Sequence, residues 1–304
     1  MELRSAIRPD LPLQQRSEAL AATLPPLLVA AERVASSVAQ GVHGRRRVGQ
    51  GEAFWQFRPY ELGDTPQTID WRQTAKSDRV FVRQMEWEAA QSIWLWRDSS
   101  ASMDWSSDRN LETKRARADL LLLGLAVLAI QAGERVALAG TGRRPDASRA
   151  TLTRLTLEIE RGAEAVRLPD EDGLAPRQEL PRFGQLVWFG DFLQPLEVVE
   201  ARVRYFAERG LRGHILQILD PAEEGLPFRG RVRFEGLEGE TPWLLSRVET
   251  VRGAYLERLA QQRDGLIEIA RRAGWTAGVH HTDSTPQSAL LGLYQTLAVQ
   301  PGRR

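Results

Sequence analysis

Cysteine is absent from the 304 residues, which excludes disulfides, thiolate zinc or iron–sulfur sites and any cysteine nucleophile. Any metal site must then do without thiolate ligands. Lysine is almost as scarce: Lys76 and Lys114 stand beside 39 arginines, so lysine chemistry has two candidates. Basic residues number 41 against 40 acids, for a formal net charge of +1, so there is no bulk field to hold nucleic acid or an anionic membrane. Long apolar runs are lacking too. The most apolar stretch, Leu120 to Ile130, falls short of the roughly 20 residues of a membrane-spanning helix, and the other candidate, Ala19 to Ala31, contains Pro25 and Pro26. The residues after Met1 mix acids and bases without an apolar centre or a small-residue cleavage pattern, unlike a signal peptide. The expectation is a soluble, cytoplasmic protein with no membrane span.

What is present is an α/β rhythm from residue 92 onward. Short apolar runs begin at Ser92-Ile93-Trp94-Leu95-Trp96 and recur at 135–139, 185–189, 214–219 and 275–279. Helical patterns fall between and after them, near 112–132, 149–161, 195–209, 247–273 and 286–298. This alternation predicts an open, doubly wound, mostly parallel sheet. The Pro-, Gly- and charge-rich stretch from Ala163 to Gly184 reads as a surface loop, and Val232-Arg233-Phe234 as a short strand. The first 91 residues lack that rhythm. A helix is expected over Glu18 to Gln40, then a small β-rich subdomain in which Val80-Phe81-Val82-Arg83 leads toward the main sheet. The expected organisation is an N-terminal helical segment (1–41), a β-rich subdomain (42–91) and an α/β domain (92–304).

Three strands run directly into an aspartate: Arg97 precedes Asp98, Gly190 precedes Asp191 and Leu219 precedes Asp220. Ligands of open parallel sheets sit beyond the carboxyl ends of the strands, where neighbouring carboxylates repel one another unless a cation is bound. A fourth, Asp283, comes after the last strand. Aspartates also begin turns and cap helices, and that is the reading adopted for Asp220, which precedes Pro221. Asp98 differs in its downstream neighbours. Asp98-Ser99-Ser100-Ala101-Ser102-Met103 places hydroxyls two and four residues after the carboxylate, so a tight loop can turn three oxygens toward one point. Such hard ligands suit Mg²⁺ or Mn²⁺, and Asp191 would complete the site directly or through water. Small polar residues are also common in strand-to-helix turns.

The segment Asp98 to Met103 resembles the metal-ion-dependent adhesion site of von Willebrand factor A domains. Upstream, Arg58-Pro59-Tyr60-Glu61-Leu62-Gly63-Asp64 and Ile69-Asp70-Trp71 resemble the R-x-Y-x-x-G-D…I-D-W signature of the bacterial DUF58 family. That family joins this element to an A-type domain. Asp220-Pro221-Ala222-Glu223-Glu224 and Arg252-Gly253-Ala254-Tyr255 are similar to further landmarks. The resemblance implies a Mg²⁺-type site in which Asp98, Ser100 and Ser102 match the D-x-S-x-S element and Asp191 the later acidic position. The pattern departs in two places: no threonine occurs in 163–184, where A-type domains usually add a ligand, and Gly190 stands where a small hydroxyl residue often precedes the acid. It further implies an adaptor working with an AAA+ ATPase of the MoxR type.

For the Arg58 to Trp71 element, the favoured reading is structural, with Phe57, Tyr60 and Trp71 in a small core and Arg58, Asp64 and Asp70 paired with one another. The functional alternative makes Arg58, Arg72 and Arg83, with nearby aromatics, a contact surface for a partner protein, since arginines and aromatics are enriched at hot spots; Arg58, Asp64, Asp70 and Trp71 are the candidate partner-binding residues. The leading expectation for the whole chain is a non-enzymatic, metal-dependent protein-interaction module. The alternative is a Mg²⁺-dependent phosphoryl-transfer or hydrolase enzyme using Asp98 as nucleophile. Position 100 is serine rather than a second acid, lysines are few, and neither a G-x-x-x-x-G-K-[ST] loop nor a G-x-S-x-G elbow occurs, all of which weigh against it.

Overall fold

The computed structural model describes residues 26–42, 53–60, 69–76, 79–86, 91–164, 173–237 and 241–298. In chain order the elements begin with α1 (Pro26–Val42), β1 (Ala53–Pro59), α2 (Trp71–Thr74) and β2 (Phe81–Glu86). Next come β3 (Ser92–Arg97), α3 (Lys114–Gln131), β4 (Arg135–Leu138), α4 (Arg149–Glu164), β5 (Gln185–Gly190), α5 (Leu196–Ala207) and β6 (Arg212–Leu219). The last are α6 (Pro221–Gly225), β7 (Val232–Phe234), β8 (Trp243–Leu245), α7 (Glu249–Arg272), β9 (Thr276–His281) and α8 (Pro286–Ala298). The chain divides into two compact units, Met1–Val42 with Gln91–Arg304, and His43–Ala90.

In the larger unit, alternation along the strands sorts the core onto two faces of one sheet. Its order is β4-β3-β5-β6-β9, and every neighbouring pair is parallel. Ile93, Leu95, Val187, Phe189, Leu216 and Ile218 join residues of α1, α3, α4 and α8 on one side. Trp94, Leu186, Trp188 and Ile215 join residues of α5 and α7 on the other. All residues of β5 are buried, as a strand covered on both faces requires. Because the strand formed first lies second in the sheet, the winding reverses between β3 and β5. Chains leaving the carboxyl ends of those two strands diverge there, which opens the crevice where such folds bind ligands.

Helix α3 is buried nearly all round, which marks a central rather than a surface helix. Thr113 caps it by accepting from Ala116 N at 3.2 Å. Ala31, Val34, Ala35 and Val38 of α1 enter the same core as the α3 leucines, so the helix that the sequence sets apart as an N-terminal segment belongs to the α/β unit. Residues 165–172 of the expected surface loop lie outside the described residues. Beyond them, Leu174 and Ala175 are buried in the same apolar cluster as Trp188. Val232–Phe234 pairs antiparallel with Trp243–Leu245, a partner too short to show a periodicity. Among the described residues, no helix is long and apolar enough to cross a membrane.

In the smaller unit, β1 and β2 form an antiparallel pair, with Arg58 opposite Val82. Strand β2 pairs with β1 in a two-stranded sheet, and residues 87–90, which join it to β3, lie outside the described residues.

Candidate functional site

Asp98 comes directly after β3 and is 2% exposed. Its N–H donates to Phe189 O of β5 at 2.8 Å, bridging the two strands where the winding reverses. Its Oδ1 accepts from Ser100 N at 2.7 Å, and the hydroxyls of Ser100 and Ser102 lie 3.0 Å apart. A 3₁₀ turn over Ala101–Asp104 buries Ala101 and Met103, anchoring the loop from below. Arg115 ties the loop to α3: its Nη2 donates to Ser99 O and Ser100 O, each at 3.1 Å, and its guanidinium pairs with Asp104. Two glycines make room for Asp98. A Cβ on Gly190 would stand 3.1 Å from Asp98 Cβ, and one on Gly173, at φ +68°, would meet Asp98 Oδ1 at 2.7 Å and Gln194 Nε2 at 2.8 Å. The glycine that stands where A-type domains often have a small hydroxyl residue thus has a local steric cause.

Asp191 comes after β5 and is 1% exposed. Its Oδ2 receives the Lys114 ammonium at 2.9 Å, and the same Nζ reaches Glu223 Oε1 at 2.6 Å. Asp191 Oδ1 accepts from Leu193 N at 3.4 Å, and Gln217 Nε2 donates to Asp191 O at 2.8 Å. Burial works to lower the Lys114 pKa, but Asp191 and Glu223 reverse this and raise it above its ordinary value. Burial raises Glu223, with Lys114 opposing. Tyr255 is pushed up to about 12, first by burial and then by Glu223, so it faces the cluster as a neutral phenol.

Further along the edge, Asp220 is a cap, as expected. It accepts from Ala222 N at 2.8 Å and Ser107 N at 2.9 Å, while Glu223 Oε2 accepts from Asp220 N at 2.9 Å to close a capping box. Asp283 is exposed. Arg117 donates to Ser284 O at 2.5 Å, lies 3.0 Å from His280 Nε2 and pairs with Glu112. Burial above all, then the charges of Arg117 and His281, lowers His280 to about 4. Three bases on the first turn of α3 therefore hold separate segments: Arg115 the Asp98 loop, Lys114 the loop after β5 and the helix α6 after β6, and Arg117 the loop after β9.

A family model described as a protein of unknown function, DUF58, matches residues 56–265. The chain belongs to the DUF58 family. Uncharacterized proteins of Mycobacterium bovis and Mycobacterium tuberculosis are 28% identical to it over 273 residues, covering 84% of this chain and 82% of theirs. Among solved structures it is similar to the hypothetical protein BatB from Bacteroides thetaiotaomicron, with a TM-score of 0.41 and 14% identity over 69% of this chain and 99% of that one. An aerotolerance-related membrane protein from Bacteroides fragilis has a TM-score of 0.39 and 13% identity over the same shares.

Of the upstream element of this DUF58 chain, Asp64 lies outside the described residues. Arg58 sits in β1, and Asp70 caps α2 by accepting from Gln73 N at 2.9 Å. Trp71 opens that helix and is 67% exposed, so it is not the core residue that the structural reading made of it: a four-residue helix offers too little surface to bury an indole.

Lys114, Glu223 and Tyr255 escaped the sequence analysis as site residues, although signals existed. Lys114 is one of two lysines and opens a helix, where the dipole disfavours a cation unless carboxylates face it. Glu223 and Tyr255 lie in the two downstream segments that resemble family landmarks.

Proposed function

We propose that this DUF58 protein is a metal-dependent protein-interaction module rather than an enzyme, with a larger unit of the von Willebrand factor A type. The observation that carries the reading is the pair of serine hydroxyls, 3.0 Å apart, on a loop that Asp98 Oδ1 and Arg115 hold in shape. These hard oxygens suit Mg²⁺ or Mn²⁺. Asp98, Ser100 and Ser102 would hold the ion. Asp191 would contribute charge rather than a direct bond, because Lys114 occupies its Oδ2. Among the described residues no three His, Cys, Asp or Glu side chains form a group that could hold a metal, so the loop hydroxyls are essential to this site. A cation held by one carboxylate keeps positions open for a carboxylate of a partner protein.

The partner we propose is an AAA+ ATPase of the MoxR type, with the protein serving in the cytoplasm as an adaptor for assembly or activation of other proteins. The resemblance of the Arg58–Trp71 element, joined to an A-type domain, supports this. Phosphoryl transfer is favoured less, since the lysine at the site is 1% exposed and held between two carboxylates, where it does not face a phosphate.

Calorimetric titration of the wild type and Asp98→Ala with Mg²⁺ and Mn²⁺ tests the metal. Heat of binding is expected only from the wild type, and flat traces from both would remove the ion from the account. Capture from the protein's own lysate, with nucleotide and Mg²⁺, tests the adaptor: an ATPase retained by wild type and lost with Asp98→Ala supports it, and no ATPase retained by wild type refutes it.

A further inference from the structure

We infer that Lys114 is a tethered cation that fills the Asp191–Glu223 half of the carboxyl-edge site, so that a divalent ion is confined to the Asp98 loop. This rests on the proposed cation site at that loop and assigns its specificity. Asp191 Oδ2 lies on the loop after β5 and Glu223 Oε1 on the short helix α6 after β6, yet both reach one nitrogen, at 2.9 and 2.6 Å. Two carboxylate oxygens converging in a buried place are what a hard divalent ion seeks, and the ammonium holds that place with charge-assisted bonds. It is not a mobile ion. Its backbone starts α3, where Lys114 N donates to Trp105 O at 3.4 Å, and its side chain is 1% exposed.

The consequence concerns the number and position of metal ions. Two-metal hydrolases set their ions about 3.5–4 Å apart between shared carboxylates. With Lys114 in place, the position between Asp191 and Glu223 is taken by an ammonium, and the protein binds a single divalent ion with Asp98 as its acidic ligand. Without the ammonium, Asp191 and Glu223 would face one another uncompensated, and their repulsion would be relieved by a second divalent ion.

The test counts Mn²⁺ bound to the full chain by equilibrium dialysis with electron paramagnetic resonance detection. Wild type is expected to bind one equivalent, lost in Asp98→Ala. Lys114→Met is expected to bind one equivalent more, kept when Asp98→Ala is added and lost when Glu223→Gln is added. If Lys114→Met is unfolded without metal, Mn²⁺ is expected to restore its melting transition while leaving that of Asp98→Ala unmoved. A folded Lys114→Met with the wild-type count, an extra equivalent that survives Glu223→Gln, or a chain that Mn²⁺ fails to refold would each overturn the inference. A wild type that binds no Mn²⁺, beside a Lys114→Met that binds one equivalent dependent on Glu223, would refute the Asp98-loop site and leave the role of Lys114 standing.

Discussion

The ammonium of Lys114 stands 2.9 Å from the carboxylate of Asp191, with both side chains 1% exposed. The pair joins the first turn of α3 to the loop after β5 at the point where the winding of the sheet reverses. Removing one member of a buried pair strands the other charge, at a cost of about 3–5 kcal/mol. Lys114→Met is therefore expected to lose stability of that order in metal-free urea unfolding. Arg271→Met, at a surface pair whose arginine side chain is 71% exposed, should leave it nearly unchanged, because solvent screens such a pair. Equal losses would show that the ammonium carries no special weight.

Buried titrating groups act in opposite directions between pH 4 and 6.5. His214 and His280 are both lowered to about 4 from 6.5, mainly by burial. The unfolded chain binds protons there that the folded chain refuses, so stability is full above 6.5 and falls as pH drops toward 4, by up to about 3 kcal/mol per histidine. Asp119 is raised to about 6 from 3.8, by burial first and against the pull of Arg97. Its contribution has the other sign: present below 3.8, it is lost as pH rises through 6. Urea unfolding at several pH values should show wild type weakening on acidification. The double variant His214→Gln with His280→Gln should reverse that slope, and Asp119→Asn should steepen it. Slopes that do not move would contradict the assignment.

Gly173→Ala tests the space around Asp98. The residue combines φ +68° with a Cβ position 2.7 Å from Asp98 Oδ1, whereas Gly133, at φ +85°, has nothing within 4 Å of its Cβ position. Both alanines meet the backbone penalty, on the order of 1 kcal/mol, but only Gly173→Ala should also displace Asp98. Weakened Mn²⁺ binding with Gly173→Ala, beside unchanged binding with Gly133→Ala, is the expected result. Equal Mn²⁺ affinity in the two would separate the glycine from the site.

In the smaller unit, Trp71→Ala and Asp70→Ala should part company. Asp70 caps a helix, and its loss should cost about 1 kcal/mol. Trp71 is exposed, and truncating it should alter stability by less than about 0.5 kcal/mol. If the indole binds a partner, Trp71→Ala should lower capture of the ATPase in the same lysate experiment. A large loss of stability in Trp71→Ala would restore the core reading of this residue.

Much of the larger unit was legible in the chain itself. The strands read as short continuous apolar runs bounded by turn residues, because helices cover both faces of the sheet: Trp94 and Leu95, or Leu186 and Val187, are all buried but lie on opposite faces. Asp98, Ser100 and Ser102 could be picked out because all three lie within one short loop, where spacing along the chain sets spacing in space. Trp243–Leu245 was missed because three residues are too few to show a period. Aromatic character predicts a core Trp71 but says nothing of the surface a short helix can offer, and the indole is exposed.

The sequence by itself thus determined the α/β order, the loop that carries the hydroxyls and the turn from a cysteine-free chain toward oxygen chemistry. Only the tertiary structure decided what Asp191 faces. Lys114, Asp191 and Glu223 are far apart along the chain and meet because three strands of a parallel sheet deliver the segments that follow them to one edge. Charge pairing between such segments depends on strand order, which local residue patterns do not encode.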